Sequence, residues 1–329
     1  MEAGKVPNEV LDKIVLSKIN KFRKDIILRP GIGEDCAAID FDNYACILST
    51  DPITGAANEV GQLAVHISCN DIASCGVAPM GLLVTILCPV GTSEAELGKV
   101  MEQISDTAAK LNVEIIGGHT EVTPAVNKII ISTTCIGKAL KDKVISSGGA
   151  RPGDSIIITK SAGLEGTAII ANDLEHKISH MVSAEQLRQA KSFINSISVV
   201  KEGIIAGEFG ATAMHDITEG GVLGAAWEIA EASGTGIIID KDRIPVEEVT
   251  ALICQALELD VLRLISSGCM LITCPEGEEL CSLLEKSSIK ASIIGTVTGN
   301  KDERILISKK EGTVRDIAPP AADELYKVI

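Results

Sequence analysis

The 329-residue chain reads as two α/β or α+β domains. Three observations carry that reading. Strand-like apolar runs and amphipathic helical stretches mix in both halves of the sequence. A punctuating segment, Ser146-Ser147-Gly148-Gly149 followed by Arg151-Pro152-Gly153-Asp154, separates them and sets domains of 1–147 and 148–329. Hydrophobic residues make up 46% of the chain, enough for two cores, and at 2% aromatic content those cores must be aliphatic.

In chain order, Val10, Leu11, Ile14, Val15 and Ile19 share one face of an opening helix, which Pro30-Gly31 stops. A strand runs from Tyr44 to Ser49 and ends at Thr50-Asp51. The apolar spacing from Glu59 to Cys75 predicts a helix with Gly76 as its C-terminal cap. Gly81 to Cys88 is a continuous apolar strand. Thr92 to Leu111 is a helix with Ser93 as cap and Glu94 and Glu96 in its first turn. Val113 to Ile116 and Lys128 to Ile136 are strands on either side of a polar loop, Gly117 to Asn127. Beyond the punctuation, helices are expected at Ala184–Phe193, Ser198–Glu208, Gly221–Ala232 and Glu247–Leu257. Strands are expected at Ser155–Thr159, Gly236–Ile239, Met270–Cys274, Ser292–Val297 and Ile305–Ile307.

The formal charge of −15 removes any broad attraction for nucleic acid or an anionic membrane. It also repels free polyanions, so a phosphate-bearing ligand would need a divalent cation as a bridge. Ten cysteines lie scattered among apolar residues with no CxxC pair, as reduced, buried thiols do in a cytoplasmic protein. The N-terminal stretch has no basic region followed by an apolar run, and no apolar stretch reaches membrane-spanning length, so a cytoplasmic protein is expected.

Acidic residues recur at loop ends in the first half: Glu34-Asp35, Thr50-Asp51, Asn70-Asp71 and Gly117-Gly118-His119-Thr120-Glu121. Magnesium takes hard oxygen ligands, typically one or two carboxylates with phosphates and water. Asp35, Asp51 and Asp71 suit it if the fold gathers them; singly, each is more simply a turn or cap residue. Asp71 stands apart, because it falls inside the apolar pattern Ile67 to Ala73, where an unpaired carboxylate is costly. No GxxxxGK[ST] loop is present, and Gly31-Ile32-Gly33 lacks the third glycine of a dinucleotide fingerprint. In the second half, His215-Asp216-Ile217-Thr218-Glu219-Gly220-Gly221 leads into a helix and suits either an anion site or an ordinary cap. Ser161-Ala162-Gly163-Leu164-Glu165-Gly166-Thr167 has the same two readings. Lys160 suits a phosphate contact or a solvated strand end.

Six segments in order, GIGEDCAAI (31–39), STDPITG (49–55), NDIASCGVAP (70–79), GGHTEVTP (117–124), RPGDSIIITK (151–160) and HDITEGG (215–221), resemble the aminoimidazole ribonucleotide synthetase superfamily, nearest to a HypE-like hydrogenase-maturation factor. The resemblance implies a two-domain PurM-like fold, an N-terminal mixed sheet used for homodimerisation, and ATP bound near that interface with Mg2+. It implies Asp35, Asp51 and Asp71 as metal ligands, with Gly33, Asn70, Gly117, Gly118, Thr120 and Gly163 also binding the nucleotide. His119, Glu121 and Asp216 would serve catalysis. His119 stands where the family carries an acidic residue; neutral imidazole is a poor magnesium ligand, so a phosphate contact or a proton-handling role competes with that of an ordinary loop histidine. The implied reaction is ATP-dependent phosphoryl transfer to an oxygen of an acceptor. The alternatives are a nucleotide-binding maturation partner without turnover, or a kinase like that of thiamine phosphate. HypE-type chains carry a terminal cysteine as acceptor, whereas the last cysteine here is Cys281, so a different acceptor is expected.

Overall fold

The computed structural model describes residues 4–54 and 59–329; Gly55 of the STDPITG segment lies outside the described residues. The chain begins with one helical turn, α1 (Asn8–Val10), continued by π and 3-10 turns to Lys18. A six-stranded sheet follows, built from β1 (Ile26–Leu28), β2 (Ala37–Phe41), β3 (Tyr44–Ile53), β4 (Pro79–Cys88), β5 (Glu114–Val122) and β6 (Ile130–Leu140). Its order is β1-β2-β3-β6-β4-β5, with only β4 and β5 parallel. Helices α2 (Val60–Ser74) and α3 (Glu94–Lys110) cover one face.

The second sheet has seven strands, β7 (Ser155–Thr159), β8 (Ala213–Asp216), β9 (Gly236–Asp240), β10 (Met270–Cys274), β11 (Ala291–Thr298), β12 (Arg304–Ser308) and β13 (Thr313–Asp316), in the order β13-β12-β9-β11-β7-β10-β8. Around it run α4 (Leu164–Asp173), α5 (Glu175–Ile178), α6 (Ala184–Ser192), α7 (Val200–Phe209), α8 (Gly221–Ser233), α9 (Glu248–Ala256) and α10 (Gly277–Lys286). The mixed helices and sheets, and most of the predicted elements, match expectation. Ser93 caps α3 through a full capping box with Glu96.

Five expectations need correction. The opening helix is short and irregular, and Ile14, Val15 and Ile19 are exposed, so its apolar face has no core to join. Strands β1 and β2 occupy part of what reads as helix and loop. β5 runs straight through the expected polar loop at 117–122. Its side chains are exposed at the edge of the sheet, so the sequence shows no alternation of apolar residues, and backbone pairing to β4 alone makes it a strand. Gly118 is required there: at φ +148° a Cβ would lie 1.9 Å from the Val84 carbonyl. The punctuation at 146–154 is no free linker, since Ser147 bonds to the Met214 carbonyl and Ala150 N–H to Ser233. Finally, β8 and β13, of four residues each, are too short for periodicity to reveal.

Helix α2 locks the two halves together. Fourteen of its fifteen residues are buried. Ala64, Val65, Cys69 and Ile72 pack into the first core, while Leu63 and Ile67 pack into the second. Asn70 bridges the halves with its amide: Nδ2 donates to the Ile197 carbonyl and Oδ1 accepts from Val199 N–H, each at 2.9 Å. Helix α7 crosses so closely that a Cβ on Gly203 would sit 2.2 Å from the Ala73 carbonyl. Gly203→Val is therefore expected to destabilise the protein by about 2 kcal/mol or more in chemical denaturation, as an overpacked core does. Gly98→Ala in α3, where a Cβ meets nothing within 4 Å, should instead stabilise it by roughly 0.5–1 kcal/mol.

Candidate active site

A cavity of about 470 Å3 lies where the two halves meet. The loop before β2 brings Glu34 and Asp35, the end of β3 brings Asp51, and α2 brings Asp71. β8 ends in Asp216, its following turn carries Glu219, the first turn of α4 carries Glu165, and the C-terminal segment contributes Asp323. Among the described residues eight carboxylates thus line one cavity, and the only basic residue of that lining is Lys5.

So many acids in one buried space raise one another's proton affinity. Burial first, then Asp216 and Asp51, hold the Asp71 carboxyl well above the usual range. Asp71 also takes a short hydrogen bond from the Ser49 hydroxyl, which stands 3.4 Å from Asp51 Oδ2. Burial and the neighbouring Asp35 push Asp216 up to about 8, against the opposing pull of His215 and Lys5. Both Asp216 oxygens are buried without a hydrogen-bond partner among the described residues. Burial and Asp35 likewise push Glu34 up to about 7. Lys5 enters from the N-terminal arm, with its ammonium donating to Thr218 Oγ1 at 3.1 Å and its backbone N–H to Glu219 at 3.0 Å.

His215 is buried between two acids. Its Nδ1 lies 2.9 Å from Asp35 and its Nε2 3.0 Å from Glu228. Burial disfavours a charged ring, but the two carboxylates outweigh it and raise the pKa well above the ordinary value. A ring that donates from both nitrogens keeps no lone pair for a metal. Although its donors come within 4.8 Å of those of Asp35 and Asp216, His215 therefore orients Asp35 instead of joining a coordination shell. The hard oxygens of Asp35, Asp51, Asp71 and Asp216, those of Asp216 without a hydrogen bond among the described residues, are a donor set that suits Mg2+.

Four expected residues, Asp35, Asp51, Asp71 and Asp216, thus meet in the cavity. The others do not line it. The Asn70 amide is spent on the α2–α7 junction. Gly33, at φ +74°, lets its loop pass α8, where a Cβ would lie 2.9 Å from Glu228. Gly163 N–H is taken by Ser266 Oγ at 2.7 Å. The Lys160 ammonium is spent on Glu202 and on the Ser198 and Gly268 carbonyls. Gly117, Gly118, His119, Thr120 and Glu121 lie exposed on β5, with His119 Nε2 3.3 Å from Glu121. Glu228 and Lys5 were not expected, and Ser49, Glu165 and His215 were named only within their segments, with no role of their own. Glu228 carried a signal, a carboxylate inside the apolar helix GVLGAAWEIAEAS, just as Asp71 did within Ile67 to Ala73.

These shifts fix a pH dependence. Acids whose folded pKa is raised bind protons more tightly when folded, so the stability they contribute is fully present below about pH 4 and is lost as pH rises through 7 to 8. The charged His215 acts in the same direction. Without divalent cations, the melting temperature should fall between pH 5 and pH 8.5. Millimolar Mg2+ should restore it more at pH 8.5 than at pH 5, as a pH series of melting curves would show.

Residues 33–139 match the family model described as AIR synthase related protein, N-terminal domain, and residues 151–308 match its C-terminal domain. A Methanocaldococcus jannaschii protein named for hydrogenase expression and formation is 29% identical over 342 residues, covering 99% of this chain and 97% of the relative. The carbamoyl dehydratase HypE of Rhizobium leguminosarum bv. viciae is 29% identical over 257 residues, covering 75% and 71%. A crystal structure of the hydrogenase maturation protein HypE in complex with ATP shares the fold at a TM-score of 0.71 and 24% identity, covering 98% of this chain and 97% of that one. With both family domains matched in order over its two sheets, the chain belongs to the AIR synthase related proteins.

Proposed function

We propose that the chain is a magnesium-dependent enzyme that uses ATP to phosphorylate an oxygen of its acceptor. The observation that carries this reading is the carboxylate cluster of Asp35, Asp51, Asp71 and Asp216, with Asp216 buried and without a hydrogen-bond partner among the described residues. A cluster of that charge needs cations, and cations in turn draw a polyphosphate into an otherwise repelling cavity. Bound Mg2+ would neutralise charge on the transferring phosphoryl group, and the reaction otherwise calls for positioning alone, without a covalent protein nucleophile. His215 keeps Asp35 in place, and Glu228 holds His215. The HypE relative named as a carbamoyl dehydratase, and the HypE structure solved with ATP, support ATP-dependent chemistry of this type. The M. jannaschii relative's name supports a protein partner in metalloenzyme maturation. Residues 1–147 and 148–329 are its two functional units, and among the described residues no helix is long and apolar enough to cross a membrane, consistent with a cytoplasmic setting.

The working unit in this reading is a homodimer. Met80, Leu83 and Ile116 lie exposed on β4 and β5, an apolar face at the end of the first sheet that a second copy would cover. In that dimer Gly117, Gly118, His119, Thr120 and Glu121 act at the shared border, where a single copy leaves them facing outward.

Two experiments test this. In isothermal titration, Asp35→Asn and Asp71→Asn should each weaken Mg·ATP binding tenfold or more; unchanged affinity in both would remove the site assignment. In sedimentation velocity, the double substitution Leu83→Arg and Ile116→Arg should yield a monomer with little phosphate release. A dimer that survives it would place the interface elsewhere.

A further inference from the structure

The stretch from Lys13 to Arg29 carries a charge opposite to that of the protein it belongs to. It holds six basic side chains and one acid, Asp25, on a chain of net charge −15. Arg23 is paired with Asp25. Lys13, Lys18, Lys21, Lys24 and Arg29 have no carboxylate within ion-pair reach among the described residues. Among these charges stand apolar residues that join no core: Ile14 is 58% exposed and Phe22 65%, and Val15 and Ile19 are exposed as well. The same stretch, the loop before β2 and the last turn of α8 enclose a groove of about 670 Å3. Only Pro30 and Glu34 wall both this groove and the acidic cavity. Leu16, Ile19, Phe22, Ile26 and Ile32 give the groove an apolar lining. Lys21 and Arg29 stand in that lining too, the Arg29 guanidinium 5.9 Å from the centre of the Phe22 ring. The acids that reach the groove are Asp12, Glu34 and Glu231. Glu231 is paired with Arg304, and burial and Asp35 push Glu34 up to about 7, which leaves Asp12 alone against the free cations.

An apolar groove with a basic rim is complementary to a segment that flanks an apolar face with acids. We propose that this groove is a docking site for an acidic, amphipathic segment of another protein, separate from the nucleotide site. Its apolar side chains would cover Ile19 and Phe22, and its carboxylates would meet Lys18, Lys21, Lys24 and Arg29. A local basic patch on an acidic protein also selects its partner, because any acidic segment that approaches elsewhere is repelled. A second copy of the chain fits less well. The dimer proposed above uses β4 and β5, at the opposite end of the first sheet from β1, and so does not account for this face. An anionic bilayer fits less well again: it is flat where the groove is concave, and it would meet the acidic remainder of the chain.

The test uses the immobilised full-length protein to select from a phage-displayed library of random peptides of about 15 residues, roughly four helical turns. Enriched peptides are expected to combine Asp and Glu with Leu, Ile or Phe. The best of them, synthesised with a fluorescent label, should bind the wild type in anisotropy titrations and weaken as salt rises. It should lose roughly tenfold or more in affinity in Phe22→Ser, and as much in the double substitution Lys21→Glu and Lys24→Glu. All three side chains are exposed, so the melting temperature and Mg·ATP affinity should stay as in the wild type. Enriched peptides without an excess of acids, or with equal affinity for wild type and both variants, overturn the proposal. Co-sedimentation with vesicles of phosphatidylglycerol and phosphatidylcholine, lost in Phe22→Ser and unaccompanied by peptide binding, would overturn it in favour of a membrane surface. Self-association lost in Phe22→Ser, again without peptide binding, would overturn it in favour of a second copy. Failure of the ATP reading would appear separately, as a wild-type protein that captures the peptide and does not bind Mg·ATP.

Discussion

The burial of Asp71 inside α2 is the constraint on which the rest of the molecule turns. A carboxylate in the middle of a helix that is buried on nearly every side is tolerated only if something meets it. The first response comes from the protein itself, through the Ser49 hydroxyl at the end of β3. That bond needs β3 to run past Ser49 toward Thr54, so the strand is longer than its apolar run alone would make it. In the proposed magnesium site the remaining charge is left for a cation, which Asp35 and Asp216, brought from opposite halves, would share. One helix thus supplies the wall between two cores and the group around which the site is assembled.

The cost of this arrangement is spread unevenly. His215 and Glu228 form a satisfied buried relay beneath Asp35, which stiffens that side chain without leaving a donor idle. Among the described residues, neither the Asp216 oxygens nor Glu165 Oε2 has a hydrogen-bond partner. Unpaired buried acids of this kind trade stability for ligand affinity, and they stand on both walls of the cavity. A chain selected for stability alone would have replaced them with apolar residues of similar size.

Much of the architecture was legible in the sequence because its helices and central strands are long and strongly patterned, as at Glu94–Lys110 and Met270–Cys274. The misses have a common cause. β5 is an edge strand whose side chains face outward, and β8 has four residues, so neither offers hydrophobic periodicity to read. The site was legible at Asp71, where a charge interrupts an apolar pattern, and the same logic applied to Glu228 would have led to His215. Asn70 misled because its neighbour is a site residue; on a helix, adjacent positions point about 100° apart, and here the amide faces the junction with the second half. Lys5 reaches the cavity through tertiary contacts with no local mark.

The near-contact of backbones between α2 and α7 also bears on how such a chain can change over time. Gly203 lies against Ala73, and Gly207 lies against Gly76, with no room for a side chain at either place. Two halves joined by a loose tether could be exchanged by recombination, each new pairing needing only a compatible surface. Here a foreign second half would have to bring both glycines at the right helical spacing, together with carbonyl and amide groups placed to receive Asn70. The packing therefore ties any change on one side of this junction to a matching change on the other.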